Sequence, residues 1–258
     1  MAAKFAKFTH ADKGYEYDAA GLKKAWARLH RGDCEPLPKD AGAIDAWRAF
    51  HAGDFARAVE AGLAAGGSGL NAAAKAQVVY AHYLERNDKT KIALFDEAAR
   101  WADERRSDSP RDANAHYLYA FAMGRYSRGI SVAKALAQGL GGKIKEALLT
   151  AMKIEPKHAD ANIAYGAYQA EVIDKVGALV AGMTYGAKKE SALEHFDKAI
   201  RLNPDSAIAR IEYANALIML FGKSRIDEAT KLYEKAASHK PVDAMERLDV
   251  ESAKSELD

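Results

Sequence analysis

The chain is short of the residues that build sheets. Val, Ile and Thr together number 26 of its 258 residues, against 55 alanines. Sheets draw on β-branched and aromatic side chains, whereas alanine loses no side-chain entropy in a helix. β-Sandwiches, barrels and parallel-sheet enzymes are therefore excluded. A single cysteine, Cys34, rules out an intramolecular disulfide and a thiolate metal cluster. It predicts a free thiol in a reducing compartment. The longest apolar run, Val176 to Tyr185, is about half of what a membrane span needs. The opening MAAKFAKFTHADKGYEYD has no apolar core of a secretory signal, and His30-Arg31-Gly32-Asp33 lacks the residues of a lipoprotein site before Cys34. A cytoplasmic protein is the expectation. A net charge of +2 gives no global signal for nucleic acid or a membrane surface. With 49% hydrophobic residues and only six prolines, the chain can bury a core.

What is present is a repeat. Pro110, Pro156 and Pro204 each open the same pattern, Pro-x-x-Ala-x-Ala-x-x-x-Tyr-small. Its members are Ala113, Ala115, Tyr119 and Ala120, then Ala159, Ala161, Tyr165 and Gly166, then Ala207, Ala209, Tyr213 and Ala214. Asp112 and Ser206 sit where an N-cap is needed, and His158 takes that place less favourably in the middle copy. The segments before the prolines match as well. Ile144, Leu148 and Ala151 precede Pro156, Ala192, Phe196 and Ala199 precede Pro204, and Ala229, Tyr233 and Ala236 precede Pro241, always at the same offsets. Positions i, i+4 and i+7 share one helix face, so each trio predicts a buried stripe.

These residues resemble the tetratricopeptide repeat family. Tyr165-Gly166 with Ala192-Phe196-Ala199-Pro204 makes one match, and Tyr213-Ala214 with Ala229-Tyr233-Ala236-Pro241 another. Gly53-Asp54-Phe55-Ala56-Arg57-Ala58 looks like the family's helix-turn-helix junction, which with Trp47 gives a first repeat over about residues 40 to 66. Residues 71 to 106 read as a second hairpin turning at Asn87-Asp88. The proline spacings of 46, 48 and 37 exceed the standard repeat of about 34. The surplus falls within 123–142 and 171–189. Such paired extensions, with the run Gly142-Lys143-Ile144-Lys145-Glu146-Ala147-Leu148, resemble the T-component proteins of TRAP transporters and the regulator-of-microtubule-dynamics group.

The expected fold is all-α: a tetratricopeptide-like α-α superhelix, or solenoid, with two extended helical insertions. Residues 1–39 are expected to form an N-terminal helix and a linker holding Pro36 and Pro38, 40–241 the repeats, and 242–258 a C-terminal cap with Ala244, Leu248 and Val250 inward.

One stretch carries charge of a single sign. From Ala113 to Lys145 there is no Asp or Glu, while Arg125, Arg128, Lys134, Lys143 and Lys145 are present. The first helix of each hairpin faces the inner groove in such repeats. Asn114, Tyr117, Phe121, Arg125, Arg128 and Lys134 are therefore the candidate residues for a peptide, protein or anionic ligand. A competing reading pairs these bases with the acidic residues 243–258, which hold six acids against two bases. The small-residue run Val176 to Gly186 either packs on the first insertion, frames an apolar ligand pocket, or forms an oligomer seam.

Other chemistry is not supported. Gly139-Leu140-Gly141-Gly142-Lys143-Ile144 lacks the first glycine and the Ser/Thr of a phosphate loop, and reads as a helix-to-helix loop. The eight histidines are dispersed, with no His-Glu-x-x-His, and His116 and His195 read as packing residues. Gly67-Ser68-Gly69 is a turn, not a nucleophile elbow. Phe5, Phe8, Tyr15 and Tyr17 interleave with Lys4, Lys7 and Lys13, a tail expected to dock on helix grooves rather than bind nucleic acid. No enzyme, metal or cofactor is expected. The expected partner is a protein or peptide, with homo-oligomerisation kept open. The rival function is a small-molecule binding or transport-accessory protein.

Overall fold

Many of the main helices begin where a polar side chain meets the free backbone N–H groups of the first turn. Asp18, Asp40, Asp54, Asn87 and Asp112 each accept from the amide three residues on. Ser206 does the same through its hydroxyl. The computed structural model that shows this describes residues 5–258. Among those residues every regular element is helical. His158 corrects an expectation: its Nδ1 accepts from Ala161 N at 3.0 Å, so a fully buried imidazole caps its helix as a hydroxyl would.

The chain divides into two units. The first comprises residues up to His30, Cys34–Glu155 and Val242–Met245. Within it α1 (Ala19–Leu29) precedes the hairpin α2 (Ala41–Ala52) and α3 (Phe55–Ala65). Next come α4 (Gly69–Tyr83) with α5 (Asp88–Asp108), and α6 (Ala113–Gly129) with α8 (Leu140–Ile154). The short α7 (Val132–Ala137) lies between the last two. The first helices α2, α4 and α6 neighbour one another in sequence of hairpins, forming one continuous face. The expected loop at 139–144 is mostly helix, because Gly139 caps α8 and Gly141–Gly142 form its first turn.

The docked tail follows the same logic. Gly53 ends α2 at φ 84°, a conformation that favours glycine, and the Phe8 ring occupies the space a Cβ would need there. The Phe5 ring stacks on Tyr80 at 3.9 Å, and Ala6 N donates to the Tyr80 hydroxyl. Lys4, one of the three cations of that pattern, lies outside the described residues.

The second unit comprises Arg31–Asp33, Pro156–Pro241 and Glu246–Asp258. It holds α9 (Ala159–Val176), a short α10 (Ala178–Val180), a π-turn over Ala181–Tyr185 and α11 (Lys189–Leu202). The hairpin α12 (Ala207–Phe221) and α13 (Ile226–Ala237) follows, with most of α14 (Ala244–Ser255). The repeated small residues meet at its centre: Ala192, Phe196 and Ala199 pack with Ala209, Tyr213 and Ala214, and then with Ala229, Tyr233 and Ala236. Gly166 explains the small position of the motif, since a Cβ there would stand 2.8 Å from the Phe196 ring and 3.0 Å from Ala192 O. Gly177, at φ 80°, breaks α9 from α10, which accounts for one of the two glycines in the small-residue run. Val250 and Ala253 of α14 join this core, and Leu248 and Ala244 are buried.

Candidate partner-binding face

Three predicted residues form a ladder along α6. The Tyr117 and Phe121 rings stack 5.7 Å apart at 9°, and the Arg125 guanidinium lies 5.5 Å from the Phe121 centroid. Spacings of four place them one above another, and stacking plus a cation over a ring face fixes their order. Asn114, a turn earlier, is buried, as is Tyr117, whereas Phe121 and Arg125 are half-buried. The helix that carries them is anchored by Asp112, which caps its first turn and accepts from Arg105 Nε at 2.8 Å.

Arg128 and Lys134 are exposed and depart from that line. Lys134 sits on α7 with its ammonium 5.9 Å from the Tyr126 ring. Arg128 belongs instead to a cationic cluster at the end of α4. There the imidazole of His82 is held well below its ordinary pKa, by burial first and then by the charges of Arg125, Arg128 and Lys91. The acid-free stretch thus folds into local positive potential around the first-unit hairpins.

A second polar group lies on the same row of helices and was not legible as a site. Asn71 and Lys75 share a face of α4 and are 1% and 3% exposed. Asn71 Nδ2 lies 3.3 and 3.2 Å from the two carboxylate oxygens of Glu35, and at the same distances from those of Asp112. Lys75 reaches over the Trp47 and Phe50 rings at 6.0 and 5.8 Å. Glu35 is itself 5% exposed and is held through its backbone, where Trp26 Nε1 donates to Glu35 O at 2.7 Å. The available signal was Asn-Ala-Ala-Ala-Lys, two polar residues four apart in the small and apolar first half of α4.

The histidines, scattered in sequence, meet in pairs with other groups. His51 Nε2 faces His30 Nε2 at 3.3 Å, and His195 Nδ1 lies 2.8 Å from Asn162 Oδ1. His116 Nε2 bonds Pro110 O, so it and His195 are hydrogen-bonded packing residues as expected. Among the described residues no three His, Cys, Asp or Glu side chains come together as a metal set. The insertions carry exposed apolar residues: Val132 and Leu136 on α7, and Leu179 and Met183, 77% and 82% exposed, in the short α10 and the π-turn. None of the described helices is long and apolar enough to cross a membrane.

Helical hairpins with small residues at the motif positions, stacked first helix upon first helix, define a tetratricopeptide repeat protein. A thermophilic tetratricopeptide repeat protein from Thermus thermophilus, known from its crystal structure, superposes with a TM-score of 0.57. That match has 17% identity over 83% of this chain and 97% of the other. The model of the family described as regulator of microtubule dynamics protein 1-3 matches residues 70–258, and the chain belongs to that family. The comparison with curated proteins gives no match.

Proposed function

We propose that the chain is a non-catalytic scaffold that binds a peptide or protein partner in the groove lined by the first helices of its hairpins. The observation that carries this reading is the Tyr117–Phe121–Arg125 ladder on α6, with a half-buried ring and guanidinium at its open end. An aromatic step beside a guanidinium suits a segment that mixes apolar and acidic side chains. Asn114 continues the ladder at its buried end, while Arg128 and Lys134 lie off its line and add exposed positive charge nearby. The fold itself supports recognition in general, since stacked repeats hold many side chains in a fixed array. The half-buried lone thiol of Cys34 supports a reducing, cytoplasmic setting.

The test is capture of partners from native cell extract by the full chain and by Arg125→Glu. Loss of the captured proteins on reversing this charge supports the groove. Identical capture by a folded Arg125→Glu chain overturns the assignment.

Self-association is a second reading, favoured by the exposed Val132, Leu136, Leu179 and Met183. Light scattering over a range of concentrations decides it: a strict monomer removes this reading.

A further inference from the structure

Between α6 and α8 the chain projects from a pinned base. Tyr126, Leu140 and Ile144 are buried on either side, whereas residues 131–139 include no buried side chain. α7 occupies this projection, and the Ser131 side chain caps it by accepting from Lys134 N. Val132 and Leu136 stand four apart on one side of it, 46% and 53% exposed. A helix with no buried residue adds nothing to the core, so this aliphatic pair is turned outward, away from the fold.

The surroundings of the pair carry one sign of charge. Arg128, Lys134 and Lys143 are exposed on α7 and the helix ends beside it, and no Asp or Glu occurs from Ala113 to Lys145. Ile92 in the first turns of α5 abuts Gly129, and Lys89 and Lys91 outnumber Asp88 there. An aliphatic tip flanked by cations matches an anionic lipid surface, where apolar groups enter the interface and ammonium groups meet phosphates. Lys134 lies on the side of α7 away from Val132 and Leu136, and its long stem lets the charge reach the headgroup layer.

A second copy of the chain fits this face less well. A twofold seam brings a patch against itself, setting Arg128, Lys134 and Lys143 against their own images. Two half-exposed aliphatic side chains also fall far short of the roughly 1,200 Å² that a stable interface buries. Leu179 and Met183 differ, because no charged residue occurs from Val176 to Ala187 and a seam there meets no such repulsion.

We propose that α7 is a peripheral membrane contact: Val132 and Leu136 enter the interfacial layer of a bilayer rich in anionic phospholipid, and Arg128, Lys134 and Lys143 engage its headgroups. The contact is shallow and reversible, since it rests on two aliphatic side chains and three cations rather than on a spanning helix. It goes beyond the groove reading and does not depend on it, because the ladder on α6 takes no part.

The test is cosedimentation of the full chain with sucrose-loaded vesicles, one set of pure phosphatidylcholine and one of equal parts phosphatidylcholine and phosphatidylserine. The chain is expected to sediment with the anionic vesicles, less so as salt rises, and to stay in solution with the neutral ones. Lys134→Glu with Lys143→Glu should lower the partition at least about tenfold, and Val132→Ser with Leu136→Ser about tenfold. All four side chains are exposed, so both double variants should keep the wild-type circular dichroism. A pair that alters the spectrum is replaced by the same two positions changed to alanine, held to the same direction. Failure of the wild type to partition onto anionic vesicles overturns the proposal, as does equal partition onto neutral ones. A loss smaller than about threefold in either double variant is equally fatal. A dimer that Val132→Ser with Leu136→Ser turns into a monomer, with no vesicle binding by the wild type, gives the face to a second copy instead.

Discussion

His51 Nδ1 lies 2.7 Å from Asp243 Oδ2, across 192 residues of chain. The carboxylate can only accept, so His51 carries its proton on Nδ1, and its Nε2 turns to His30 Nε2 at 3.3 Å. Aromatic rings enclose the group: Trp26 stacks on His30 at 4.0 Å, and Trp47 meets its edge at 4.6 Å. A relay of this kind in dry surroundings holds α1, α2 and the segment after Pro241 in register.

Breaking one end of that relay leaves a buried donor unsatisfied. Asp243→Ala is expected to lower unfolding stability by about 1–3 kcal/mol, read by urea unfolding. The double variant His51→Phe with Asp243→Leu should lose less than the sum of the two single changes, because each single change breaks the same His51–Asp243 bond. A double variant whose loss reaches that sum contradicts this account.

Stability should fall with acid through His82. Its folded imidazole is held well below the ordinary value of about 6.5 by burial and then by Arg125, Arg128 and Lys91. Below that ordinary value the unfolded chain takes up a proton that the folded chain refuses, so stability drains away as pH falls. Burial acts on His195 in the same direction. His82→Gln should therefore lose less stability than wild type between pH 7.5 and 5.5. Parallel urea midpoints for the two chains across that range count against it.

Gly166→Ala should destabilise the second unit by about 1–3 kcal/mol, an overpacking penalty. The new methyl group meets the Phe196 ring and Ala192 O, and neither the fully buried ring nor the backbone can yield freely. Adding Phe196→Leu should recover part of the loss in a thermal melt. A melting temperature equal to wild type for the single change would mean that the two helices are not in close contact.

Leu179→Gln and Met183→Gln lie at the other extreme. Both side chains are mostly in solvent, so each change should leave stability within about 0.5 kcal/mol. A larger loss, seen by calorimetry, would show that these residues are covered in solution.

The architecture was legible because the repeat writes it several times. Pro110, Pro156 and Pro204 locate the starts of α6, α9 and α12, and the trios ending at Ala151, Ala199 and Ala236 locate the buried stripes of α8, α11 and α13. The ladder on α6 was legible too, since spacings of three and four fix which side chains share a face. His158 reads as a poor cap because capping scales describe exposed helix ends, whereas this imidazole is buried and has its nitrogen aimed at Ala161. The buried polar group around Asn71 was invisible for a different reason. Glu35 lies in an aperiodic stretch beside two prolines, which reads as linker, and its burial arises only when Trp26 and α4 come together around it.

The segment after Pro241 carries a consequence for biosynthesis. Tyr17 donates to Val242 O, and His51 awaits Asp243, so these early residues find their partners only after synthesis has passed residue 243. Local helices can form as they emerge, yet the long loop between these positions must close before α2 is fully satisfied. A ribosome stalled after Pro241 would hold a chain with all five hairpins synthesised and its first one still unlatched.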